Sequence, residues 1–164
     1  MIKNNIRRES YLKFLNTWKN RDLIKVLSGV RRSGKSTLLA MFQQDLKEQG
    51  VQDENIIAIN FEYMEFEELT DYRKLHDYVL SKVDKNKKNY VFLDEIQHVQ
   101  NFEKVVDSLY IRDYIDLYIT GSNAFFLSGE LATLLTGRYI EQHVLPLSFQ
   151  EFKQWHTENN PTIQ

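Results

Sequence analysis

The sequence predicts an α/β domain of three layers, with a parallel five-stranded sheet in the order 5-1-4-3-2 between helices. Three observations predict it. Five short apolar runs alternate with helix-period segments along the 164 residues, the pattern of parallel strands joined by right-handed crossovers. The first run opens onto Gly29-Val30-Arg31-Arg32-Ser33-Gly34-Lys35-Ser36, a complete G-x-x-x-x-G-K-[ST] phosphate-binding loop. The third run ends in Asp94-Glu95 and the fourth in Gly121-Ser122-Asn123. Both ends must reach that loop, which puts the fourth strand between the first and the third.

The elements follow in order. Residues 9–20 place Tyr11, Leu12, Phe14, Leu15 and Trp18 at helical spacing. This helix packs on the domain, and its place ahead of the first strand also lets it flank a nucleotide base. Residues 23–27 read as a buried strand, and a helix runs from Lys35 to about Gln49, with Gly50 as its C-cap. Residues 55–62 form the second strand. Residues 66–83 form one helical stretch, apolar at Leu69, Tyr72, Leu75, Tyr78, Val79 and Val83. A loop over 84–89 leads to the third strand, 90–95. A helix over 101–113 and a fourth strand over 116–120 come next, then a helix over 124–135 and a fifth strand over 139–145. Ser148 with Glu151 three residues on is a capping box that starts the last helix. The polar tail from Thr157, with Pro161, is expected to fray.

The loop's spacing has a chemical reason. A polyphosphate needs several backbone N–H groups converging on it, and Gly29 and Gly34 let the chain curl with no side chain in the way. The helix that starts near Lys35 turns its free amides and positive dipole end to the same anion. Lys35 supplies a charge for the β- and γ-phosphates, and Ser36 a hydroxyl for Mg²⁺. Arg32, Ser33 and Thr37 complete the expected phosphate-binding set. Average residue usage produces such a pattern by chance on the order of once in a hundred chains of this length or fewer. The competing explanation is a glycine turn between strand and helix with an incidental lysine.

Four apolar residues followed by Asp-Glu suit an interior strand whose carboxyl end reaches a nucleotide crevice. Asp94 is the expected Mg²⁺ ligand opposite Ser36, and Glu95 the expected base for an attacking water. Beyond the fourth strand, Asn123 is the first choice and Ser122 the second for a group touching the γ-phosphate or the water; either could instead cap the next helix. His98, with no second ligand nearby, reads as an ordinary loop histidine.

Composition sets outer limits. Lys+Arg 21 against Asp+Glu 23 leaves a net charge of −2, so no global field draws the chain to nucleic acid or membrane. The short basic run at 85–88 reads as a loop. There is no cysteine, which excludes disulfides and thiolate metal sites and fits a reducing cytoplasm. No apolar run approaches the ~20 residues of a membrane span.

The stretches GVRRSGKST, YVFLDEIQHVQNFEKVVDSLY and YITGSNAFFLSGELATLLTGRYIEQHVLPLSFQEF resemble the prokaryotic AAA-type ATP-binding proteins. In these, an ATPase core precedes a C-terminal domain of unassigned function. The resemblance runs from about Tyr11 to Phe152. It implies a P-loop NTPase of the AAA+ core type, with Lys35 and Ser36 in Walker A, Asp94 and Glu95 as Walker B, and Asn123 or Ser122 as the sensor. It further implies Arg138 as an arginine finger acting in trans in a homo-oligomer, the alternative being a surface ion pair. Asn60 or Glu62 would restrain the Walker B glutamate. ATP/ADP and Mg²⁺ are the implied ligands. Residues 1–164 would form one core, truncated ahead of the helical lid and of the C-terminal domain that would be its partner in the longer protein, the alternative being a degenerate ATPase.

Three functions compete on these grounds. The first is Mg²⁺-dependent ATP hydrolysis driving a conformational change on a partner. The second is an ATP-binding switch with negligible hydrolysis. The third, a small-molecule kinase, lacks an Arg-rich lid segment, and GTP specificity lacks an N/T-K-x-D element after the fourth strand.

Overall fold

Successive side chains of a strand point to opposite faces, so strands apolar at every position need cover on both sides. In the computed structural model, which describes residues 6–122 and 130–159, helices supply that cover in two outer layers. The order is α1 (Glu9–Trp18), β1 (Ile24–Ser28), α2 (Lys35–Glu48), β2 (Ile56–Asn60), α3 (Tyr72–Lys82), β3 (Asn89–Asp94), α4 (Phe102–Tyr110), β4 (Ile115–Gly121), α5 (Glu130–Leu135), β5 (Tyr139–His143) and α6 (Phe149–Asn159). The sheet is parallel throughout and ordered β2-β3-β4-β1-β5, the order expected from the two polar strand ends. Ser28 lies opposite Gly121 on one side and His143 on the other, and Asn60 opposite Asp94. The carboxyl ends of β1, β3 and β4 therefore stand side by side.

Strand alternation divides the core in two. On one face, Val26, Ile59, Leu93 and Ile119 pack with Leu75 and Val79 of α3, Val105 and Leu109 of α4, and Leu131 and Leu135 of α5. On the other, Leu27, Phe92 and Tyr118 meet Leu12 and Leu15 of α1 and Leu38, Phe42 and Leu46 of α2. The Phe92 and Tyr118 rings stack at 4.8 Å, and Phe42 meets Tyr118 edge-on at 5.2 Å, the geometries that the ring quadrupole favours. At the amino end of the sheet, Lys25 Nζ donates to Asp116 Oδ1 at 2.5 Å, both side chains fully enclosed. Burial pushes the Lys25 pKa down and Asp116 opposes it. Asp116 also accepts from the Tyr118 hydroxyl and the Asn20 N–H, so the buried charge is fully partnered.

Local chemistry fixes the helix ends. Gly50, at φ +100°, lets Gly50 N–H reach the Lys47 carbonyl and Val51 N–H the Leu46 carbonyl, closing α2 with a Schellman pair. Ser148 Oγ accepts from Glu151 N–H and Glu151 Oε1 from Ser148 N–H, so the capping box forms as expected. The single helix expected over 66–83 is instead divided. A 3₁₀ segment covers Met64–Thr70, and α3 begins only at Tyr72. Asp71 causes the break: its carboxylate caps the Arg73 and Lys74 N–H groups, which requires an extended backbone at Asp71. No helix among the described residues is long and apolar enough to cross a membrane.

Candidate active site

The loop between β1 and α2 curls through three left-handed or glycine-only positions, Gly29 (φ +155°), Arg32 (φ +67°) and Gly34 (φ +101°). Gly29 is needed for close approach: a Cβ there would lie 2.5 Å from the Val144 carbonyl oxygen and 2.8 Å from Ser33 Oγ. Gly34 is the N-cap of α2 and no side chain caps that helix, so its first amides stay open to an anion. Ser33 Oγ is buried and has no hydrogen-bond partner among the described residues. A buried hydroxyl without a partner is a donor waiting for an acceptor.

Lys35 folds back over this loop. Its ammonium donates to the carbonyls of Gly29 (2.8 Å) and Val30 (3.1 Å) and lies 3.5 Å from Glu95 Oε1. The two side chains are 2% and 8% exposed, so this is a buried ion pair at the mouth of the loop. Asp94 stands beside them at the end of β3. Burial raises the Asp94 pKa; hydrogen bonds involving the hydroxyls of Ser36 and Thr120 oppose this, Glu95 adds to it and Lys35 counters it. The carboxylate is thus short of positive charge. Ser36 and Asp94 together offer hard oxygen donors of the kind Mg²⁺ takes, with phosphates and water completing the sphere. Among the described residues no group of three or more His, Cys, Asp or Glu could hold a metal unaided.

Thr120 ties the two acids together. Its hydroxyl accepts from Glu95 N–H at 2.9 Å and donates to Asp94 Oδ1 at 2.5 Å. Glu95 itself leaves the strand in the left-handed conformation, φ +60° and ψ +53°, at a cost of about 1–2 kcal/mol for a residue with a side chain. Asn60 Nδ2 lies 3.4 Å from Asp94 Oδ2, and Glu62 pairs with Arg31. Glu95 Oε2 also accepts from Gln97 Nε2 at 2.5 Å.

A cavity of about 390 Å³ opens beside Glu95, bounded by Arg31, Glu62, His98 and Ser122. A smaller one, about 120 Å³, lies on the outer side of the loop against Ile6, Arg32, Thr37 and Leu147. Asn123 lies outside the described residues. Arg138 precedes β5, its carbonyl accepting from Ile24 N–H, and its guanidinium lies 6.0 Å from the Tyr110 ring centre. It is therefore at the amino end of the sheet. The five residues of β1 separate it from its own phosphate loop by about 16 Å.

A family model described as an AAA domain matches residues 21–153. The chain belongs to the AAA domain family. This AAA domain is 47% identical over 153 residues to an uncharacterized protein of Haemophilus influenzae, covering 93% of this chain and 38% of that one. It is 38% identical over 141 residues to an uncharacterized protein of Methanocaldococcus jannaschii, covering 83% of this chain and 29% of that one. The chain thus spans well under half the length of these relatives. Among solved structures, a Walker-type ATPase of Pyrococcus abyssi matches 98% of this chain and 59% of its own at TM-score 0.68 and 16% identity. AMPPCP-bound DnaA from Aquifex aeolicus matches 100% of this chain and 55% of its own at TM-score 0.60 and 15% identity. At such identities the likeness concerns the fold. Family and fold together support nucleotide binding of the ATPase type in general.

The sequence alone does not single out Thr120, Gln97 or Arg8 as parts of the site. Arg8, 7% exposed, donates to the Ser33 carbonyl at 2.9 Å, the Leu145 carbonyl at 2.6 Å and Glu151 Oε2 at 2.9 Å. It anchors the outer wall of the phosphate loop to the start of α6. Thr120 carried a weak signal, a hydroxyl one residue before the glycine at an interior strand end. Gln97 and Arg8 carried none, since neither falls in a periodic pattern.

Proposed function

We propose that this AAA domain binds ATP with Mg²⁺ and hydrolyses it to ADP and phosphate, using the cycle to drive a conformational change on a partner. The observation that carries the reading is the juxtaposition of Lys35, buried at the loop mouth, with Glu95 at 3.5 Å and with Asp94 beside Ser36. The loop amides, the Ser33 hydroxyl and the N-terminus of α2 would receive the phosphates. Lys35 would exchange its carbonyl and carboxylate partners for the β- and γ-phosphate oxygens. The base would lie on the outer side of the loop, in the cavity by Thr37 and Ile6. Ser36 and Asp94 would hold Mg²⁺, which when bound neutralises phosphate charge.

Glu95 would then be free of its ion pair and would take the proton of a water attacking the γ-phosphorus in line, as the bond to the ADP oxygen breaks. Ser122, on the cavity beside Glu95, and Asn123 are the candidates to contact that water or the γ-phosphate. Arg138, remote from its own loop, would act only on a neighbouring copy, which ties full activity to a homo-oligomer. The work the cycle performs would belong to the longer protein.

The test is Glu95→Gln, assayed for phosphate release and for binding of a fluorescent ATP analogue. Retained binding with turnover reduced at least a hundredfold is expected. Parental turnover would remove Glu95 from the mechanism. A parent that releases no phosphate above the uncatalysed background would leave a nucleotide switch in place of a hydrolase.

A further inference from the structure

The carboxylate of Glu95 has two oxygens in two different situations. Oε1 faces Lys35, and Oε2 accepts from Gln97 Nε2 at 2.5 Å. Lys35 is the group that a bound phosphate would draw away, whereas Gln97 sits in the 3₁₀ turn Ile96–His98. That turn is pinned by Ile96, fully buried in the core, and by the Val99 N–H to Ile96 carbonyl bond. We propose that Gln97 is a positioning residue for hydrolysis. It holds Glu95 by one oxygen, so that the other is left aimed at the γ-phosphate side when Lys35 departs. The proposal deepens the reading of Glu95 as the base and rests on it.

Three features of the structure support the assignment. The backbone of Glu95 is fixed separately, by its left-handed conformation and its N–H bond to Thr120, so only the side-chain torsions need an anchor. Those torsions would otherwise be free once the ion pair breaks, and a freely rotating carboxylate is a poor base because few of its orientations reach the water. The Gln97 amide also gives up something to stay where it is. Its Oε1 is buried without a hydrogen-bond partner among the described residues, while its N–H is committed to Glu95. An amide in that state is held for the bond it makes, not for a balanced set of bonds. Asn60 and Glu62, the side chains nearest by position to such a role, are engaged by Asp94 and Arg31 instead.

The experiment compares Gln97→Ala and Gln97→Met with the parent, by phosphate release and by binding of a non-hydrolysable ATP analogue. Both variants remove the donated N–H, and the second keeps the side-chain shape. The expected result is a roughly tenfold fall in kcat, the worth of one hydrogen bond to a charged group, with KM and analogue affinity within about twofold. Glu95→Asp supplies the second arm. Its carboxylate, one methylene shorter, falls short of Gln97, so adding Gln97→Ala should lower kcat no further. A multiplicative loss in that double variant, an equal loss of ATP affinity, or a Gln97→Ala enzyme at or above parental kcat would each overturn the proposal. Glu95→Gln turning over at the parental rate would overturn the base assignment and this proposal together. An inactive Glu95→Gln beside a parental Gln97→Ala would overturn this proposal alone.

Discussion

Replacing Gly29 by alanine isolates what close approach contributes to the phosphate loop. The new methyl would sit 2.5 Å from the Val144 carbonyl oxygen and 2.8 Å from Ser33 Oγ. Ordinary contact begins near 3.4 Å, so the methyl or its neighbours must move by about 0.9 Å, a displacement typical of overpacked cores. Val144 cannot give way cheaply, because its N–H is bonded to the Ser28 carbonyl at 2.7 Å and it directly follows β5. The loop must yield, and with it the Gly29 carbonyl that holds Lys35. Overpacking of this kind costs about 1–3 kcal/mol, added to about 1–3 kcal/mol for a side chain at a glycine-only φ. Two comparisons separate these effects. A Cβ at Gly34 would meet nothing nearer than Arg8 at 3.6 Å, and at Gly50 nothing within 4 Å, at almost the same φ of +101° and +100°. Urea denaturation should therefore place Gly34→Ala and Gly50→Ala within about 1 kcal/mol of each other, with Gly29→Ala lower by at least ~1 kcal/mol. Binding of a fluorescent ATP analogue should weaken more than tenfold in Gly29→Ala, weaken in Gly34→Ala, and stay unchanged in Gly50→Ala. Gly29→Ala as stable as Gly50→Ala, with parental binding, would refute the argument.

Three further outcomes follow from the same contacts. Thr120→Val leaves the buried Glu95 N–H without an acceptor and takes one donor from Asp94, which keeps Ser36 and Asn60, and should destabilise the domain by about 2–3 kcal/mol in urea; Thr120→Ser should restore most of it. Asp94→Asn should raise the melting temperature of the metal-free, nucleotide-free protein by a few degrees, from about 1 kcal/mol. Burial lifts the Asp94 pKa above its unfolded value, so this carboxyl favours the folded state only at low pH, and its contribution is lost as pH rises through the folded pKa. A lowered melting temperature at neutral pH would contradict that sign. For Glu151, burial pushes the pKa up, but the Ser148 N–H and hydroxyl and the Arg8 guanidinium outweigh it and hold it below the usual range. Its contribution is present above the unfolded pKa of about 4.3 and fades as pH falls through the lower folded value. Glu151→Gln should flatten that part of the acid unfolding curve, and an unchanged slope would exclude the Arg8–Glu151 pair as its source.

The sheet order was legible because function constrains topology: Asp94 and Ser122 can stand near Lys35 only if β4 lies between β1 and β3. The loop, the helix after it and the Ser148–Glu151 cap were legible because each depends on contacts a few residues long. The division at Asp71 was missed because apolar spacing runs through it, and a cap written into that spacing competes with the period. The partners of Glu95 were hidden for a different reason. Thr120 is 25 residues from Glu95 in sequence and meets it only through β3–β4 pairing. Gln97 reaches back to it only because the chain turns left-handed at Glu95. Arg8 meets Glu151 across 143 residues, a pairing invisible before the fold is known.

The central claim is that the amide-lined loop and the acids of β3 converge on one metal-bound triphosphate. Calorimetric titration with a non-hydrolysable ATP analogue, with and without Mg²⁺, tests this convergence most directly. The parent should bind more tightly with Mg²⁺, Asp94→Asn should lose most of that gain, and Lys35→Ala should bind at least tenfold more weakly in either condition. An undiminished Mg²⁺ effect in Asp94→Asn, or parental affinity in Lys35→Ala, would contradict it.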